Sequence, residues 1–198
     1  MTPHHPDIRP RPDDLIVSWS TQQRDLRHFV TEARTHPENY PPIDYSEPAQ
    51  PEPSTWPPTF PIMPPGVPDF QLSARLTDTA SAHAIFLKSQ DKDWANADQN
   101  MHRGPDGNLV WDVGQPMWEA GYHAWRSENV AYEYADAEEV VRFWMQHDAP
   151  SKWGHRNSIL YDDWYASDDI REAGFGYVEG GPWAHYWVLD MGRKEGPF

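Results

Sequence analysis

Four polar residues in the second half of the chain have types and an order that could do chemistry: His102, Glu128, His147 and His155. Imidazole nitrogens ligate borderline divalent cations such as Zn²⁺ and exchange protons near neutral pH. A carboxylate can ligate the same cation or act as a general base on water. The spacing is not that of a short zinc motif such as His-Glu-x-x-His, so taken singly each residue also has an ordinary structural explanation. His102 sits beside the turn-like Gly104-Pro105-Asp106-Gly107. Glu128-Asn129 reads as a solvated polar pair. His147 closes a helix, where an imidazolium interacts well with the helix dipole. His155 follows Gly154 and could cap a turn.

The other candidates carry less. His83 falls on an apolar helix face and reads as a satisfied core residue, while His123 and His185 have no motif around them. Trp111, Trp118, Trp125 and Trp153 come from loop-like stretches. They could stack on a glycan or line an apolar ligand, with a core role as the alternative. Ser127 lacks the Gly-x-Ser-x-Gly elbow of an activated nucleophile. Asp162, Asp163, Asp168 and Asp169 make a carboxylate-rich loop without the order of an EF-hand, which reads as solvated.

These residues need a scaffold, and periodicity supplies one. Leu26, Phe29, Val30 and Ala33 recur at helical spacing behind Ser20/Thr21, predicting a helix over 21–35 that Pro37 ends. Leu76, Ala80, His83, Ala84 and Leu87 share a face of a helix over 72–90. Residues 91–126 read as loop with a short helix near 115–121. Asp136 with Glu139 three residues on caps a helix over 136–147, whose stripe is Ala137, Val140, Val141, Trp144 and His147. Gly174–Val178 and His185–Leu189 alternate as strands around the turn Glu179-Gly180-Gly181-Pro182. Helices first and adjacent strands late point to an α+β fold with helices packed on an antiparallel sheet.

Residues 37–68 hold 12 of the 21 prolines. Proline fixes φ and lacks an N–H, so this stretch is neither helix nor central strand. Trp56, Phe60, Ile62 and Met63 are apolar anchors that a solvated linker does not need, which favours an extended strap packed on the domain. The organisation expected is a polar tail over 1–14 and one domain over 15–198 carrying a Pro-rich insertion at 37–70. Such an arm could instead dock on a second copy of the chain.

A net charge of −15 opposes nucleic acid and anionic membranes at long range. No run of 18 apolar residues is present to span a bilayer. The chain has no cysteine, which rules out disulfides and thiolate chemistry. Met1–Pro6 shows no apolar signal-peptide core.

From Ser127 onward, several motifs occur in an order that resembles one family. Ser127-Glu128-Asn129-Val130-Ala131-Tyr132 resembles its Gly-Glu-Asn-hydrophobic-Ala signature, and Ala137–Met145 its following helix. Gly154-His155-Arg156-Asn157-Ser158-Ile159-Leu160 is similar to its Gly-His-Arg-x-Asn-Ile-Leu element. Glu172–Tyr177 and Trp187–Gly192 resemble its closing strands. Upstream, Ala80–Ala84 and Met101-His102 match more loosely. The family is the CAP superfamily (cysteine-rich secretory, antigen 5 and pathogenesis-related 1 proteins), here in its bacterial SCP-like form.

The resemblance implies an α-β-α sandwich with a central cleft, in which two histidines can bind a divalent cation beside two acidic residues. Carried over by motif, His102 and His155 are the histidine pair and Glu128 the first acid. The second acid belongs three residues after the helix tryptophan. Here that residue is His147, giving three imidazoles and one carboxylate, a set that suits Zn²⁺. The resemblance further implies an extracellular or cell-surface protein acting by binding a metal, lipid, glycan or protein. Two alternatives stand beside it: a metal-dependent hydrolase with Glu128 as base and His147 as ligand or acid, and a structural subunit joined through the Pro-rich arm.

Overall fold

Ser20 opens the first helix, α1 (Thr21–Thr35), with a reciprocal capping box. Its side chain accepts the Gln23 N–H while the Gln23 side chain accepts its own N–H. This computed structural model of the protein describes residues 19–43, 61–63, 65–92, 94, 100–160 and 171–193. After α1 come β1 (Gln71–Leu72), α2 (Ala74–Lys88), α3 (Pro116–Glu119) and β2 (Trp125–Tyr132). Then follow α4 (Ala137–Gln146), α5 (Gly154–Leu160), β3 (Arg171–Glu179) and β4 (His185–Arg193). Asp136 caps α4 by accepting the Glu139 N–H at 2.9 Å, as its position in the sequence requires.

The sheet runs in the order β1-β3-β4-β2. Its three long strands are antiparallel, as expected. The two-residue β1 adds a parallel pairing at the β3 edge, so the sheet as a whole is mixed. Alternation along β4 builds two cores. Tyr186 and Val188 face α2, packing with Ala80, Ala84 and Leu87. Trp187, Leu189 and Met191 face the opposite layer of α1, α4 and α5, among Leu26, Val30, Val140, Val141, Trp144 and Ile159. The result is a helix layer on each face, the α-β-α sandwich anticipated. Gly174 and Gly176 let α2 approach β3 closely, since a Cβ at Gly174 would lie 2.0 Å from the Leu76 carbonyl carbon. Among the described residues, no helix is long and apolar enough to cross a membrane.

Two buried arginines strap the proline-rich approach to the domain. Arg156 donates to the carbonyls of Ile62 (2.9 Å), Tyr40 (2.7 Å) and Met145 (2.8 Å), and Asn157 Oδ1 accepts the Ile62 N–H at 2.8 Å. Burial pushes the Arg156 guanidinium down to about 10. Arg34 donates to the Pro68 carbonyl and lies 4.1 Å over the Phe70 ring. At Tyr40, Ile62 and Pro68, then, the described parts of the segment are tied to the domain by side-chain hydrogen bonds to their backbone. Ile62 packs on the core, whereas Met63, expected as an anchor, is 64% exposed. Trp56, Phe60, the tail 1–14 and the acidic cluster Asp162, Asp163, Asp168 and Asp169 lie outside the described residues. Among the described residues, the arm segments turn to their own domain.

Candidate functional site

Among the described residues strand β2 is the outer strand of the sheet on the β4 side, and a cleft of about 540 Å³ runs along it. Its floor is the unbroken run Trp125–Asn129. His102, Met101 and Trp111 stand on one side, and Ser151, His155 and Ser158 on the other. Period-two alternation assigns the floor's side chains to faces. Val130 and Tyr132 pack with α2, and Ala131 packs with the opposite layer. Glu128 accordingly points to the α2 face, and Asn129 points to the α5 face.

On the α2 face, Glu128 is clamped. His83 Nδ1 lies 2.5 Å from Glu128 Oε2, and His102 Nδ1 lies 2.8 Å from Oε1. His83 Nε2 also faces the Arg103 carbonyl at 3.2 Å. Two acceptors, one on each ring nitrogen, require both to carry protons, so His83 is an imidazolium. Burial, the largest influence on His83, opposes that charge, but the Glu128 carboxylate outweighs it and raises the histidine above its ordinary value. For Glu128 too, burial is the largest single influence and favours the neutral acid. The His83 charge and the two histidine hydrogen bonds overcome it and hold the carboxyl at about 2.

His102 is brought over this clamp by local structure. It ends a 3₁₀ turn over Asn100–His102, its carbonyl takes the Val110 N–H at 3.0 Å, and its ring meets Trp111 at 5.1 Å between centroids. The loop returns through the anticipated turn, closed by the Gly107 N–H on the Gly104 carbonyl.

On the opposite face, a second carboxylate holds His155. Asp148 is completely buried. Its Oδ1 lies 2.6 Å from His155 Nδ1, and its Oδ2 accepts the N–H groups of His155 (2.8 Å) and Arg156 (3.1 Å). It thus caps the first turn of α5 and orients the histidine at once. The chain reaches this arrangement through consecutive left-handed residues, Lys152 (φ 53°) and Trp153 (φ 64°), a strained turn beside the cleft.

The structure brings three of the four expected site residues to the cleft and leaves one out. His102 and His155 both line it, each held through Nδ1 by a buried carboxylate. Among the described residues neither Nε2 has a partner, so in the neutral ring it offers a lone pair. Glu128 is present, but its side chain is wholly buried and both its oxygens are taken. His147 is the exposed C-cap of α4 and does not reach the cleft, because the chain turns away after Gln146. The carboxylate that the spacing appeared to lack stands one residue later, as Asp148. Among the described residues, no three His, Cys, Asp or Glu side chains are grouped to hold a metal ion. His102, Glu128, His147 and His155 are therefore not gathered into one four-ligand set. Of the tryptophans, Trp111 and Trp125 line the cleft, Trp125 from a strand and not from the expected loop, while Trp153 is buried.

Besides Asp148, sequence reasoning missed Asp190 altogether and the roles of His83 and Asn129. His83 is satisfied and buried as expected, but its partner is the site glutamate. Asp190 lies directly across from Glu128 in the β2–β4 register. It is buried, and burial, followed by the Glu128 charge, raises its carboxyl well above the usual range. Its signal was a carboxylate at a core-facing position in an otherwise apolar strand. Asn129 donates to the His155 carbonyl at 3.0 Å, while its buried Oδ1 has no partner among the described residues.

Comparison with curated proteins and with solved structures returned no match. The family model of the cysteine-rich secretory protein (CAP) family matches residues 65–191, from the end of the strap into β4 and so across every residue of the cleft. The chain belongs to the CAP cysteine-rich secretory protein family.

Proposed function

We propose that this protein acts by binding at the β2 cleft, with His102 and His155 as the groups that grip the ligand, directly or through a shared divalent cation such as Zn²⁺. One observation carries the reading: two histidines on opposite walls of one cleft are each fixed through Nδ1 by a fully buried carboxylate, leaving Nε2 free. Carboxylate–imidazole pairing of this kind orients metal-ligating histidines and raises their basicity. Glu128 and Asp148 hold the ligands and do not themselves ligate. A bound cation supplies Lewis acidity and a fixed positive charge for an anionic or hydroxyl-bearing ligand. Trp111, Trp125 and Met101 add apolar wall for a ligand with an apolar or glycan portion. An extracellular or cell-surface setting is in keeping with the family.

Zinc titration of the metal-stripped protein by calorimetry, beside His102→Ala/His155→Ala, tests this reading. The expected result is one site in the wild type and none in the variant. Equal heats from both proteins would refute the histidine grip.

A hydrolytic reading rests on the same dyads. Glu128 has no free oxygen to serve as base, so His155 backed by Asp148 takes that role, in the manner of the carboxylate–histidine half of a hydrolase triad. Turnover of an ester or glycoside that disappears in His155→Ala but survives Glu128→Gln would support it.

A further inference from the structure

The edge of β2 has a property that the imidazoles do not explain. The Val130 carbonyl accepts the Trp144 indole N–H, on the side away from β4, and the Glu133 N–H bonds the His185 carbonyl. In an antiparallel pair the outward and inward groups alternate by residue. Ser127, Asn129 and Ala131 therefore pair with β4, and the backbone groups of Arg126 and Glu128 point outward along the cleft. Neither has a partner there among the described residues. Glu128 is 4% exposed as a residue while its side chain is 0% exposed, so what the cleft reaches of it is main chain. Beside it, Asn129 Oδ1 is a buried acceptor with no donor, in a residue that also lines the cleft. Beyond Val130, Trp144 closes the edge.

We infer that this edge takes up an extended peptide segment as an added strand, with the Arg126 and Glu128 main chain supplying the hydrogen bonds and Asn129 Oδ1 accepting a further donor from the ligand. The inference rests on the reading of the cleft as a binding site and names its ligand class. The five floor residues span roughly 17 Å, enough for a strand of four or five residues. An added strand directs alternate side chains to opposite faces. One set meets Met101, His102 and Trp111, and prefers apolar residues. The next meets Ser151, His155 and Ser158, and prefers small polar ones. The net charge of −15 favours flanking Lys or Arg on the peptide. An open strand edge left uncovered is an aggregation liability, and a cleft walled on both sides restricts it to one extended chain.

A displayed pool of random heptapeptides is selected on the immobilised full chain without metal, and a retained peptide is synthesised. Amide hydrogen exchange by NMR is expected to slow at Arg126 and Glu128, while Ser127 and Asn129, already paired, change little. Methylating the peptide nitrogens one at a time is expected to weaken binding about fivefold to tenfold at alternate residues only. No retained peptide, unchanged exchange at Arg126 and Glu128, or methylation costs without a two-residue period would overturn the inference. The His102→Ala/His155→Ala variant separates it from the cation reading. Zinc is expected to be lost, and the peptide to bind more weakly while its methylation costs keep their two-residue period. Binding to the folded variant without that period would overturn the strand addition, because the backbone of β2 would then not be pairing with the peptide.

Discussion

Replacing Asp190 with Asn is expected to stabilise the protein at neutral pH, by an amount that grows with pH. The side chain is buried, it faces the buried charge of Glu128 across β2–β4, and its proton is held well above the usual carboxylate range, chiefly by burial. The hydrogen bonds agree with a protonated acid. Thr79 Oγ1 lies 2.6 Å from Asp190 Oδ2 and 3.0 Å from the Leu76 carbonyl, and a hydroxyl has one proton to give. Thr79 can serve Leu76 if Asp190 donates to it, and Asn can donate in the same place. A carboxyl raised in the folded state contributes stability that is complete below its unfolded value, near 3.9, and is lost as the pH rises toward the folded value. While Asp190 keeps its proton in the fold, the wild type loses about 1.4 kcal/mol per pH unit relative to Asp190→Asn. The gap should therefore widen as the pH rises above about 4, for as long as the folded protein keeps that proton. Urea unfolding followed by tryptophan fluorescence from pH 3.5 to 8 measures it, with the His83 and Glu128 contributions common to both proteins. A gap independent of pH, or a variant less stable than the wild type at pH 7, would refute the argument.

Glu128→Gln leaves the buried His83 without its counter-charge and is expected to cost roughly 3–5 kcal/mol at pH 7 in the same unfolding assay. Because the Glu128 carboxyl is depressed to about 2, its contribution is complete above about pH 5 and drains as the pH falls toward 2, so the gap should close in acid. The His83 ring, followed by NMR titration, should drop below its wild-type value. His147→Gln should leave zinc binding unchanged and stability within roughly 0.5 kcal/mol, which calorimetry and thermal melts check together. Gly174→Ala drives a Cβ into the α2 backbone at Leu76 and should cost about 3 kcal/mol by urea unfolding, whereas Gly154→Ala, with open space around it, should not.

The two main cores were legible because their residues repeat at the period of their element. Every residue predicted for the α2 face is buried, and so is the apolar stripe of α4 apart from its terminal His147. Strand β2 was not legible. Residues 126–129 are all polar, since one face meets a charge clamp and the other a serine and asparagine layer, and polar runs imitate loops. Helix α5 was hidden for a similar reason, because it buries Arg156 and Asn157 against the strap. At the site, motif order located His102, Glu128 and His155, but not their roles. Whether a carboxylate ligates or clamps depends on which of its oxygens are free, and no spacing encodes that. Asp148 escaped because its partner is seven residues away, across a turn built from two left-handed residues.

The placement of the two clamps follows from the strand itself. Alternation sends Glu128 to the α2 face and Asn129 to the α5 face, so no single side chain of β2 can support histidines on both sides of the sheet. Each imidazole needs its own carboxylate. His102 takes Glu128 from the floor, and His155 takes Asp148 from the turn before its own helix. The cleft therefore straddles the sheet edge and does not lie on one face. A ligand that touches both imidazoles has to cross the main chain between Arg126 and Asn129. The unpaired backbone there, and the Asn129 oxygen beside it, then become part of whatever the histidines recognise.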